Sequence, residues 1–170
     1  MFLPSINLII FMESEYVDSL LGFNAENKQV MSRGNITLTM IKPYAVEHGY
    51  VGPILARINE AGFRITAMKY LQLSLKQAET FYEVHRGKPF FNRLTKFMCD
   101  GPIVAAILEK ENAVDDYRSL IGATDPTKAE EGTLRKLFGA SIEHNAVHGS
   151  DSDENALRES DFFFSQLERF

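Results

Sequence analysis

"PIVAAILE", residues 102–109, is apolar in every position but the last. A continuous apolar run of this length, followed at once by charged Lys110 and Glu111, reads as a fully buried strand. A chain with such a strand must cover both of its faces, so the neighbouring segments decide the architecture.

Working outward, "ITLTMI" (36–41) is β-branched and alternating, a second strand, broken by Lys42-Pro43. "YVGPILARINEAG" (50–62) has apolar residues at helical spacing and closes on Gly62, a residue suited to the C′ position. "FRITAMKYLQL" (63–73) alternates again and predicts a strand. "SLKQAETFYEVH" (74–85) opens with Ser74 and Gln77 in a capping-box spacing and predicts a helix. "KPFFNRLTKFMCDG" (88–101), with proline near its start, predicts another. Beyond the apolar strand come a helix over 111–122 ending at Gly122, a loop "ATDPTKAEEG" (123–132), a short helix over 133–139, a last strand over 141–148 and a last helix over 150–164. The loop is long enough to suspect function. Leaving the short helix over 133–139 aside, the order β-α-β-α-α-β-α-β-α predicts an α+β fold. It is a ferredoxin-like αβ sandwich, with a four-stranded antiparallel sheet on a βαββαβ core and added helices.

The 170 residues suffice for one domain with a substantial core. A net charge of −5 provides no basic footprint for nucleic acid as a bulk partner. One cysteine, Cys99, excludes an internal disulfide and fits a reducing compartment. The four histidines show no metal-ligand spacing. "MFLPSINLIIFM" (1–12) falls short of the roughly 20 apolar residues that span a bilayer, and it lacks the basic n-region of a signal peptide. No membrane association is therefore expected. Residues 1–34 read as an extension, poorly ordered or a short helix, before a domain over 35–170; Met31 is a candidate true start.

The chemistry concentrates near the C-terminus. In "HNAVHGSDSDENA" (144–156), His148 ends the expected strand, and Gly149 allows a tight turn that leaves the ring approachable. Ser150 or Ser152 can cap the next helix, and the acids Asp151, Asp153 and Glu154 suit its N-terminus. A histidine at a strand end and acids at a helix start are often only structural. The cations add to the reading. Lys42 ends the first strand, Arg118 lies on the helix leading into the long loop, Thr124 lies inside the loop, and Arg135 lies on the helix after it. Guanidinium forks and a lysine at strand ends and loops suit phosphates. Phe91 is expected in the core; Phe90, at a helix start, could stack on a base.

The chain from about Asn35 to its end resembles nucleoside diphosphate kinase. The resemblance rests on "MIKP" (40–43), "FY" and "KPFF" (81–91), "GPIVAAILE" (101–109), "YRSLIGATDP" (117–126), "GTLR" (132–135) and above all "NAVHGSDS" (145–152). It implies ping-pong transfer of the γ-phosphoryl group from a nucleoside triphosphate to a diphosphate, through a phosphohistidine at Nδ1 of His148, serving nucleotide pools. It implies that Glu159 fixes the tautomer, that Ser150 supports the pair and that Tyr82 lines the pocket. Lys42, Arg118, Thr124, Arg135 and Asn145 would bind phosphates and ribose, and Phe90 with Ile142 would clamp the base. Magnesium would arrive on the phosphates rather than in a protein cage. A cytoplasmic homo-oligomer, tetramer or hexamer, is implied. Tyr44 departs from the aspartate that the family carries after the lysine-proline pair, and a phenol beside Lys42 could alter how that lysine is held. Two other classes stand beside the kinase: a regulatory nucleotide-binding protein with impaired turnover, and a nonenzymatic interaction module.

Overall fold

The computed structural model describes residues 34–170; the expectations for the N-terminal extension and Met31 fall outside the described residues. Strands β1 (Ile36–Ile41), β2 (Arg64–Leu71), β3 (Ile103–Glu109) and β4 (Val147–Gly149) form one sheet in the order β2-β3-β1-β4. Every neighbouring pair is antiparallel. This is the expected ferredoxin-like sheet. β3 lies inside it, and its residues from Ile103 to Leu108 are all buried, which is why that segment carries no polar alternation.

The helices are α1 (Pro43–Glu47), α2 (Val51–Glu60), α3 (Leu75–Phe81), α4 (Phe91–Phe97), α5 (Ala113–Ile121), α6 (Leu134–Phe138) and α7 (Asp153–Phe163). One core joins Ile54 and Ile58 of α2, Tyr117 and Ile121 of α5, and Leu134 of α6 to Ile41, Val104, Ala106 and Val147 of the sheet. α7 packs against β1 and buries Ala156, Glu159, Ser160 and Phe163.

Several boundaries differ from expectation, each for a local reason. Pro43 ends β1 but also starts α1, since a proline at the first helical position gives up no hydrogen bond. The helix expected over 74–85 has its capping box, but stops at Phe81 and continues as a separate 3₁₀ turn at Glu83–His85. The helix expected over 88–101 contracts to α4, its ends closed by tight turns from Phe91 N–H to Lys88 and from Cys99 N–H to Lys96. The strand expected over 141–148 is only the three residues of β4. Ala146 has a φ of 65°, a left-handed backbone that cannot continue a strand. Before it, Ala140 N–H donates to the His144 carbonyl at 2.9 Å and His144 N–H to Ser141 Oγ at 3.1 Å, which folds the segment back on itself.

Candidate active site

The end of β1 lies beside the start of β4, and the site is built on that edge. His148 stands opposite Met40 in the ladder. Its Nε2 lies 2.9 Å from Glu159 Oε2 on α7. Ser150 Oγ donates to the same carboxylate oxygen at 2.7 Å, and Leu38 N–H donates to Ser150 Oγ at 3.2 Å. A carboxylate accepting at Nε2 assigns the proton to that nitrogen. The lone pair of a neutral ring then sits on Nδ1. Phe81 and Tyr82 rings pack edge-on against the imidazole, with centroids at 5.4 and 6.2 Å.

The cationic wall is equally organised. Lys42, at the end of β1, donates from its main chain to Ala146 and from Nζ to Asn145 Oδ1 at 2.6 Å. Asn145 Nδ2 in turn donates to the Thr124 carbonyl at 3.1 Å. Three separate segments are thereby tied at one point. Burial, and next the positive charge of Arg135, pull the Lys42 ammonium down to about 7. Arg135 donates to the carbonyls of Gly122 at 2.8 Å and Val147 at 3.3 Å, and burial lowers its pKa as well.

These groups open on a cavity of about 600 Å³, lined among others by Lys42, Tyr82, Phe90, Arg118, Thr124, Arg135, Ile142, Asn145 and His148. Every site residue expected from the sequence except Ser150 and Glu159 lines it, and those two stand behind His148. The Tyr82 hydroxyl and Arg135 Nε are buried and have no hydrogen-bond partner. Burial, and next the charge of Glu159, raise the Tyr82 phenol above its ordinary range, so it remains a neutral donor. Unpartnered buried donors in a cationic cavity are what an anionic oxygen-rich ligand would satisfy. Phe90 and Ile142 are exposed at 41% and 59%, as groups waiting at a rim for an apolar face.

The model of the nucleoside diphosphate kinase family matches residues 35–169. The chain belongs to the nucleoside diphosphate kinase family. A relative of that name from Flavobacterium psychrophilum is 57% identical over 136 residues, covering 80% of this chain and 98% of that protein. One from Lawsonia intracellularis is 54% identical over 133 residues, covering 78% of this chain and 96% of that protein. Among solved structures, the Aquifex aeolicus nucleoside diphosphate kinase aligns with a TM-score of 0.79 at 43% identity, covering 80% of this chain and 99% of that one. A halophilic nucleoside diphosphate kinase from Halobacterium salinarum, in complex with CDP, aligns with a TM-score of 0.76 at 34% identity, covering 81% and 91%. The protein is thus an enzyme that transfers the terminal phosphoryl group of a nucleoside triphosphate to a nucleoside diphosphate.

Two expectations about this kinase's local structure need correction. Gly149 does not have a positive φ, so it is not needed for a left-handed turn. It is needed for space: a Cβ there would lie 2.8 Å from Tyr117 Cδ1. Tyr44 does not share the lysine's cavity. Its ring stacks near His48 at 4.1 Å and His144 at 5.1 Å, in a second concavity with Phe97 and Tyr70. The cavity also contains residues that the sequence did not mark, His85 and Asp151 among them. His85 stacks on Tyr82 at 6.2 Å and faces Phe90 at 5.5 Å; its spacing of three from Tyr82 was the available signal. Asp151, read as a helix-capping acid, lines the cavity, its carboxylate held low first by a 2.6 Å bond from Asn155. Ser152, not Ser150, caps α7.

Among the described residues no helix is long and apolar enough to cross a membrane.

Proposed function

We propose that the transfer runs by a ping-pong route with His148 as the nucleophile. Nδ1 attacks the γ-phosphorus of a bound triphosphate, the bond to the β–γ bridging oxygen breaks, and the diphosphate leaves. An acceptor diphosphate then takes the phosphoryl group back through the same site. The observation that carries this reading is the shared Glu159 oxygen, which accepts from both His148 and Ser150. It leaves Nδ1 free for attack and offsets the positive charge that the ring gains on phosphorylation.

Lys42, Arg118, Thr124, Arg135 and Asn145 hold the phosphates and ribose, and Tyr82 donates its phenol to the transferring group. Phe90 and Ile142 take the base between them. No group of three or more His, Cys, Asp or Glu side chains suited to a metal occurs among the described residues. Magnesium would be held through the nucleotide's phosphates, and Asp151 and Glu143 are the carboxylates lining the cavity. Bound magnesium would supply neutralisation of the phosphates' charge during transfer. The domain spans residues 35–170, and the working form is a cytoplasmic homo-oligomer, a tetramer or hexamer. Incubation with γ-labelled ATP tests the route: label should appear on the protein, survive base, be lost in acid and pass to an added diphosphate.

A further inference from the structure

Two hydroxyls are buried beneath His148 where hydrocarbon would have sufficed. Thr39, in β1, and Tyr117, on α5, are each 0% exposed. A buried hydroxyl is costly unless paired, whereas valine and phenylalanine would fill similar volumes without that cost. Here the pairing has a direction. Tyr117 Oη and Thr39 Oγ1 are 2.5 Å apart, and Thr39 Oγ1 donates to the His148 carbonyl at 3.3 Å. Either hydroxyl can donate in the short contact; with the single Thr39 proton on the His148 carbonyl, the phenol is the donor to Thr39. The chain of donors ends on the main chain of the nucleophile.

The same tyrosine touches the next residue along. Its ring leaves no room for a side chain at Gly149, where a Cβ would meet Cδ1 at 2.8 Å and Cε1 at 2.9 Å. Its other neighbours hold it in place: the Phe63 ring lies edge-on at 5.6 Å. Tyr117 also directly precedes Arg118, which lines the cavity. One side chain therefore joins the helix carrying a phosphate-binding arginine to the backbone of the histidine that must attack that phosphate. Glu159 sets how the imidazole is turned, but it does not set where the strand stands relative to α5.

We propose that Tyr117, acting through Thr39, is a positioning residue that fixes the His148 backbone against α5 and so sets the line of attack on the γ-phosphorus. The inference rests on His148 being the nucleophile. Tyr117 touches no substrate, and its contribution is to the reacting geometry rather than to nucleotide affinity.

The test uses the full chain and rapid-quench measurement of phosphoenzyme formation at saturating ATP, with nucleotide affinity measured separately. Tyr117→Phe removes one oxygen. It should slow the transfer step by about tenfold, the scale on which small misplacements act, and leave nucleotide affinity within about twofold. Thr39→Val should do the same. The double variant should be no slower than either single, because both break one chain. Thr39→Ser keeps the hydroxyl and should transfer at the parental rate. If Tyr117→Phe or Thr39→Val lowers the melting temperature but leaves the transfer rate unchanged, the pair is only structural and the proposal is overturned. His148→Ala separates the two claims: a variant that still forms phosphoenzyme contradicts the nucleophile reading itself, whatever Tyr117 does.

Discussion

Lys42 Nζ and Asn145 Oδ1 lie 2.6 Å apart, a charged donor on a neutral acceptor inside a buried cationic wall. That environment holds the ammonium at about 7, for reasons of burial first and Arg135 second. Between pH 7 and the ordinary lysine range the unfolded chain binds more protons at this residue than the folded one. Folding stability from Lys42 therefore rises with pH through that window, and the penalty for its buried charge is fully present below it.

If Lys42 binds phosphate as proposed, nucleotide reverses that balance, because phosphates favour the charged lysine. Binding at pH 8 should take up a fraction of a proton approaching one, and affinity should fall as pH rises above 7. Calorimetry in two buffers of different ionisation enthalpy checks this. Lys42→Met should abolish the buffer dependence; identical heats for the parent protein in both buffers would contradict the account of Lys42.

Tyr44 gives the opposite expectation. Its ring belongs to the concavity shared with His144 and Phe97, whereas the lysine's Nζ is held by Asn145. Tyr44→Asp should leave turnover within about twofold, as for a surface change away from the reacting groups. A loss of more than tenfold in kcat would show that this phenol serves the site after all.

Base recognition should be broad. Phe90 and Ile142 offer exposed apolar faces, and stacking does not discriminate strongly among bases. Transfer from ATP to GDP, CDP, UDP and dTDP should proceed in every case. Phe90→Ala should raise KM for all of them by about tenfold, in line with the loss of one stacking face. Dependence on a single base by a thousandfold would refute recognition by stacking.

The sheet was legible because its signals are local and redundant. β3 is a continuous apolar run and β1 a β-branched one, and the capping box at Ser74 and Gln77 forms as its spacing implies. The grouping of the candidate site residues around one cavity was legible as a combination of motifs, since each cation alone reads as a surface charge. What the sequence hid was backbone conformation and long-range proximity. Alanine carries no mark of a positive φ, so the break at Ala146 passed for strand. Gly149 looked like a turn because the ring that excludes its Cβ lies 32 residues away, at Tyr117. Tyr44 is two residues from Lys42 in sequence, but a strand end followed by a helix start sends the two side chains into different cavities.

The central claim is the nucleophile, and the most direct measurement compares histidine variants after labelling with γ-labelled ATP. His144 lies four residues earlier, its ring packed against Phe97 at 4.9 Å and Tyr44 at 5.1 Å. His144→Ala should retain the acid-labile label. Glu159→Ala should slow its formation by about tenfold to a hundredfold, as expected for losing a supporting partner. His148→Ala should form none while still binding nucleotide. Retention of the label by His148→Ala, with its loss from His144→Ala, would contradict the assignment.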